Sequence, residues 1–227
     1  MARDHNRKWA EKLGWNFVAD SKQRLVHDDN GPLPKCMMVY REKSAILADK
    51  IQEMQDGDLC LWMDGDAVIV QDPSGIWDNL GDADVGMTKF KANRWNGGVV
   101  PFRVNAETRA LWPECVEHTH SSGKDFADLS TGDRLGRFLN NKTPPPEGVH
   151  DNKDPCEMVN ECETCPRSVG DRTPLCTTNG LKVVPIDSRF NEHFDKKNKD
   201  TRIIGLHMMS MSRTLRLMKE AIAWQPS

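Results

Sequence analysis

Asp64-Gly65-Asp66, near the first third of the chain, joins chemical capacity to an unusual setting. The apolar run Leu59–Met63 leads into it, and a second run, Ala67–Val70, follows at once. Continuous apolar runs rich in Val, Ile, Leu and Trp have the pattern of a strand buried on both faces. A carboxylate buried there without a partner is strongly destabilising. Two of them around a glycine therefore predict a counter-ion at the strand's end, and hard oxygen ligands suit Mg²⁺ or Mn²⁺. The competing reading is a plain Asp-Gly turn between strands.

Other residues with chemical capacity fall at comparable places. His207 closes the run Ile203-Ile204-Gly205-Leu206. Ligands of open α/β sheets gather outside the carboxyl ends of strands, so His207 joins Asp64 and Asp66 as a candidate, against the alternative of a satisfied structural histidine. Asn96-Gly97-Gly98 opens the run Val99–Phe102, and Thr131-Gly132-Asp133 lies in a further helical stretch.

The elements expected to position these residues alternate between helix and strand. Asn6–Leu13 has helical spacing, with Gly14 as its C-cap, followed by a short strand at Trp15–Ala19. Glu42–Gln55 carries Ile46, Leu47, Ile51 and Met54 on one helical face. Ile76, Trp77 and Leu80 predict a helical turn, Asp84–Met87 a strand, Ala106–Glu117 a helix, and Asp125–Asn140 another. Leu181–Ile186 and Ile203–His207 read as strands, Lys196–Asp200 as a charged turn, and Thr214–Trp224 as the last helix. Such alternation predicts an α/β domain with a largely parallel sheet.

With 227 residues the chain is long enough for one full α/β core, expected to span 1–227. Net charge is −3 and the pI about 6.2, so no global basic field points to nucleic acid. Charged residues make up 29% and mean hydropathy is −0.65. No run reaches the length of a membrane span and the N-terminus lacks a signal-peptide core, so the cytoplasm is the expected compartment (host cytoplasm for a viral protein). A Golgi lumen location requires a removed N-terminal anchor.

The ordered set of motifs resembles the GT-A class of nucleotide-sugar glycosyltransferases, notably the retaining glycogenin-like enzymes and the family-34 galactosyl- and mannosyltransferases. It runs apolar strand, D-G-D, apolar strand; N-G-G-V-V roughly thirty residues on; Thr131-Gly132-Asp133; L-K-V-V-P-x-x-x-R-F-N; and I-I-G-L-H. The early K-W-A-E-K-L-G-W-N-F-V looks like that group's first helix and strand, and Lys43–Leu47 like its W-x-K helix. The resemblance implies a mostly parallel GT-A central sheet flanked by helices. It implies that Asp64, Asp66 and His207 hold Mn²⁺ or Mg²⁺ against the diphosphate of a nucleotide-sugar, a UDP-sugar first. It sets Asn96, Gly97 and Gly98, in place of N-S-G, against the donor sugar, and Asp133 near the reacting sugar, with Arg134 where the group has Gln. Asn191 matches a W-N position with a structural role. Lys43 is a candidate donor contact to phosphate, against a solvated helix lysine. The group's first strand should precede the Trp9 helix, where this sequence has only Met1–Lys8.

Four of the seven cysteines, Cys156, Cys162, Cys165 and Cys176, fall in the Pro-rich polar stretch 141–180, an insert in the domain. Their spacing, C-x5-C-x2-C-x10-C, suits a tetrahedral Zn²⁺ site that would fold a loop without a core of its own. Two disulfides are the alternative in an oxidising compartment. Cys36, Cys60 and Cys115 read as buried single thiols.

The function expected is metal-dependent transfer of a hexose or pentose from a nucleotide-diphospho-sugar to a hydroxyl acceptor with retention. The acceptor is a saccharide, a protein or a hydroxymethylated DNA base. The rival is a zinc-stapled nucleic-acid-binding or scaffold protein without catalysis.

Overall fold

The computed structural model describes residues 1–20, 22, 35–89, 95–121, 175–176, 181–206 and 211–224. Five helices, α1 (Ala2–Leu13), α2 (Lys35–Lys50), α3 (Ile76–Leu80), α4 (Ala106–Ser121) and α5 (Met211–Ala223), accompany two sheets among these residues. The strands are β1 (Leu59–Met63), β2 (Ala67–Ile69), β3 (Val85–Lys89), β4 (Trp95–Asn96), β5 (Val99–Arg103), β6 (Leu175–Cys176), β7 (Lys182–Ile186), β8 (Glu192–His193) and β9 (Ile203–Gly205).

The larger sheet has the order β1-β5-β3-β7-β6, with β4 also paired to β3. Its pairings are antiparallel except β3 with β7. The sheet is therefore mixed, not largely parallel. The reason is visible in the connections. A parallel neighbour needs a crossover of a dozen or more residues, usually a helix, and only nine residues separate β3 from β5. Even so, β1, β3 and β7 run in one direction, so their carboxyl ends share one edge.

The run Leu59–Val70 is not one strand. Asp64–Asp66 turns the chain out of the larger sheet, and β2 joins a separate three-stranded sheet, β2-β9-β8. Nor is β1 buried on both faces: it lies at the end of the described sheet, its side chains are half-buried, and Leu59 is exposed. Trp15–Ala19 forms no strand. Gly14 caps α1 as expected, in the left-handed region at φ 70° that glycine enters without penalty, and Trp15 then packs edge-on against Trp77.

The alternation of side chains along the strands divides the core into layers. Cys60 and Trp62 face α2 and α4, together with Val85, Met87, Val100 and Phe102. Phe102 and Trp112 of α4 meet edge-to-face at 5.4 Å, an arrangement that contributes about 0.5–1.5 kcal/mol beyond burial. Leu61 and Met63 face the other way, toward Val99, α3 and the inner side of the small sheet. The outer side of that sheet, Val68, Ile204 and Leu206, packs on Leu217, Met218 and Ala221 of α5. At Gly86 the layers come close: a Cβ there would lie 2.7 Å from Ile186 Cγ2, so only glycine fits.

α1 is fastened to the small sheet by its polar face. Asn6 Nδ2 donates to Ala67 O at 2.9 Å, Ile69 N–H donates to Asn6 Oδ1 at 3.0 Å, and His5 Nε2 lies 2.7 Å from Ile69 O. The helix begins at Ala2, four residues earlier than its apolar spacing indicates, so that Asn6 has a turn of helix ahead of it. No helix among the described residues is long and apolar enough to cross a membrane.

Candidate active site at the carboxyl edge of the larger sheet

Asp64 follows the last residue of β1, at the edge where β3 and β7 also end. The backbone locks it there: Asp64 N–H donates to Gly98 O at 2.8 Å, and Ala67 N–H donates to Asp64 O at 2.9 Å. Asn96 stands opposite Thr88 in the β3–β4 register, and Val99 opposite Met63 in the β1–β5 register. Gly97 and Gly98 therefore form a buried step between β4 and β5, directly beside Asp64. Asn96 Oδ1 accepts the Gly98 N–H at 2.8 Å and fixes the shape of that step.

Lys43 arrives from α2. It is 6% exposed, and its Nζ lies 3.0 Å from Asp64 Oδ1. The same ammonium donates to Gly97 O and sits 5.2 Å from the centre of the Trp62 ring. Trp62 in turn donates its indole N–H to Asp64 Oδ1 at 2.8 Å. Three segments far apart in sequence thus close on one carboxylate. Lys43 is not a solvated helix lysine. Its ammonium bridges the Asp64 side chain and the glycine step, a role that helical spacing alone does not reveal because both partners belong to other elements.

Asp64 spends Oδ1 on Lys43 and Trp62. Its side chain is 27% exposed, and Oδ2 makes no hydrogen bond or ion pair with a described residue. A carboxylate oxygen left open at a sheet edge fits the chemistry of a hard cation. Among the described residues no three His, Cys, Asp or Glu side chains converge as a complete metal shell. His207 lies outside the described residues. Leu206, just before it, follows β9, whose Gly205 pairs with Ala67, so the chain leaves β9 alongside Asp66.

Asn191 belongs to the same edge but is spent on packing: it is buried and donates from Nδ2 to Thr88 Oγ1 at 3.1 Å. Asp133, Cys156, Cys162 and Cys165 fall outside the described residues. Cys176 lies in β6, with its side chain outside them. Cys60 is a free thiol, and Cys115 is buried on α4 in the same core layer. Burial, helped by the charge of Asp58, pushes the Cys60 thiol up to about 12.

This edge, with a carboxylate at the end of one strand and a glycine step opening the next, sits on a fold with a solved precedent. The fold is that of a known glycosyltransferase. A crystal structure of a glycosyltransferase involved in the glycosylation of the major capsid of PBCV-1 superposes with a TM-score of 0.57, covering 96% of this chain and 90% of that one at 11% identity. No protein-family model and no curated protein matches the sequence. At 11% identity the likeness concerns the path of the backbone, and the chemistry has to be argued from this chain's own residues.

Proposed function

We propose that the chain is a metal-dependent glycosyltransferase, moving a sugar from a nucleotide-diphospho-sugar to a hydroxyl acceptor with retention. The observation that carries this reading is the meeting of Asp64, Lys43 and Asn96–Gly98 at the carboxyl edge of the larger sheet, where open α/β sheets take their ligands.

Each group has a task in this reading. Asp64, through its open Oδ2, and Asp66 would hold Mg²⁺ or Mn²⁺, with His207 as third ligand. When bound, the ion neutralises charge on the departing diphosphate. Lys43 supplies a second positive charge at the same point and is pre-positioned by Gly97 O, so little reorganisation accompanies its approach to phosphate. The glycine step lets the donor sugar lie against backbone. Asn96 is oriented through Oδ1, and its Nδ2, which makes no hydrogen bond with a described residue, is a donor to a sugar hydroxyl. Asp133 is assigned to the reacting sugar. The acceptor oxygen attacks the anomeric carbon on the face the phosphate leaves, the glycosyl–phosphate bond breaks, and the acceptor's proton passes to the leaving phosphate. The donor is a UDP-sugar in the first instance, and the acceptor a saccharide, a protein or a hydroxymethylated base in DNA. The cysteine-rich insert carries Zn²⁺ on Cys156, Cys162, Cys165 and Cys176 and shapes acceptor recognition.

Binding alone gives the first test. Mn²⁺ with UDP should raise the melting temperature by mass action, and Asp66→Ala should remove that shift together with turnover while the circular dichroism of the fold persists. No shift with any nucleoside diphosphate sinks the enzyme reading and returns the chain to the class of zinc-stapled binding proteins.

A further inference from the structure

A cavity of about 280 Å³ opens between the loop leading into α3, the short 3-10 turn after β7 and the residue preceding β9, lined by Asp72, Ser74, Gly75, Arg189, Phe190 and Arg202. None of these residues belongs to the Asp64 cluster.

Arg189 is the unusual member. Its Nε is buried but has no hydrogen-bond acceptor among the described residues. Among the described residues Asp187 Oδ2 lies 3.8 Å away, an ion pair beyond hydrogen-bond reach between two side chains each 37% exposed. A buried donor left unpaired costs roughly 1–3 kcal/mol, and no described residue supplies its acceptor. The guanidinium is seated 5.0 Å from the centre of the buried Phe190 ring. The backbone makes Arg202 its neighbour, the Arg202 main-chain N–H donating to Arg189 O at 2.7 Å. Arg202 gives only Nη1 to a described partner, Gln71 Oε1, at 2.6 Å.

The rest of the lining narrows the ligand. Asp72 accepts the Ser74 N–H at 2.8 Å. Its side-chain and backbone hydrogen bonds with Ser74, and then the charge of Arg202, hold its carboxyl below the usual range. Two guanidinium groups thus share the cavity with one ionised carboxylate, an acceptor for hydroxyl groups. The volume lies just under the roughly 300–1,000 Å³ of drug-sized pockets, which suits a monosaccharide.

We propose that this cavity binds a small anionic sugar, its carboxylate or phosphate group on Arg189 and Arg202 and a hydroxyl on Asp72. Guanidinium pairs match both oxyanions through parallel N–H bonds, so a hexuronate and a hexose phosphate are the two sources. The site stands on its own geometry and does not depend on glycosyl transfer.

Calorimetric titration of the full chain with glucuronate, glucose 6-phosphate, glucose and inorganic phosphate tests it. One or both anionic sugars should bind with a Kd of about a millimolar or tighter, the tighter naming the oxyanion, and glucose should bind at least tenfold more weakly. Arg189→Gln and, separately, Arg202→Gln should each weaken that binding by about tenfold, while Asp64→Asn leaves it unchanged. Having two variants guards against one that fails to fold. The proposal is overturned if neither anionic sugar binds, if glucose binds as well as they do, if inorganic phosphate binds more tightly than both, or if a folded Arg189→Gln or Arg202→Gln protein retains full affinity.

Discussion

At the amino edge of the larger sheet Asp84 is answered twice, by Asn105 Nδ2 at 2.5 Å and by Lys182 N–H at 2.7 Å. At the carboxyl edge Asp64 is answered by an indole and an ammonium on one oxygen only, with the other left open. Around Asp84 both carboxylate oxygens are answered and the bonds are closed. Asn105 and Thr108 exchange side-chain and backbone bonds, and Arg109 secures the turn before β1 through Asp56 and the carbonyls of Ile51 and Met54. Around Asp64 the partners come from α2, β1 and the β4–β5 step, and the network stops short of completion. Polar groups that saturate one another maintain a fold; polar groups that converge and leave one oxygen open are arranged for a guest.

The sharpest way to break this contrast is at Asp64. Asn in its place keeps an oxygen for Trp62 and removes the charge. Under the proposed function, turnover should fall by roughly a thousandfold or more, about 4 kcal/mol in the barrier, while the melting temperature moves by only a few degrees. Equal losses of stability and activity would erase the difference between the edges. The mirror experiment is Asp84→Ala. It leaves two half-buried donors unanswered and should cost about 1–2 kcal/mol in urea denaturation, with the turnover of the folded fraction unchanged. A smaller effect in two opposed directions is expected for Lys43→Met. Removing a cation 3.0 Å from Asp64 Oδ1 should tighten Mn²⁺ binding, read by electron paramagnetic resonance, while turnover drops about tenfold because the diphosphate loses a positive partner. Weaker Mn²⁺ binding would mean that Lys43 organises the carboxylate rather than competing for it.

The smallest effect lies between the two edges, at Cys60. Its thiol is raised to about 12 in the folded chain, from an ordinary value near 9. The folded state therefore holds a proton that the unfolded state releases first. The stability linked to this thiol is intact below pH 9 and is lost as pH rises from about 9 to 12. Thiol-reactive dyes at pH 8 should label Cys60 much more slowly in the native chain than after denaturant is added, and equal rates would contradict its packing against the core.

Much of this was legible beforehand, for stated reasons. Ile76–Leu80, Val99–Arg103 and Lys182–Ile186 carry their periodicity in adjacent residues, and they appear where expected. Gly14 announces its helix end because few other residues accept its backbone angles. The sheet's mixed direction was also written in the chain, in the nine-residue span between β3 and β5, but helix–strand alternation speaks louder than connection length. The position of β1 was not legible, since five apolar residues look the same at an edge as at a centre. The burial of Lys43 was not legible, because it is decided by what faces the helix, here an aspartate 21 residues on. Nothing local marks Arg189 and Arg202 as neighbours either. Asp133, His207 and the cysteine quartet rest on spacing and resemblance.

Asn6 has a consequence for how the chain behaves at high concentration. β2 is the outer strand of the small sheet, and an uncovered strand is a template for pairing with another molecule. One asparagine amide offers β2 the donor and the acceptor that a neighbouring strand would offer, so a helix closes what would otherwise be an adhesive border. Trimming the first turns of α1, a common step in preparing a protein for crystals, would unmask that border. The expected result is oligomers joined through β2, seen as concentration-dependent growth in light scattering.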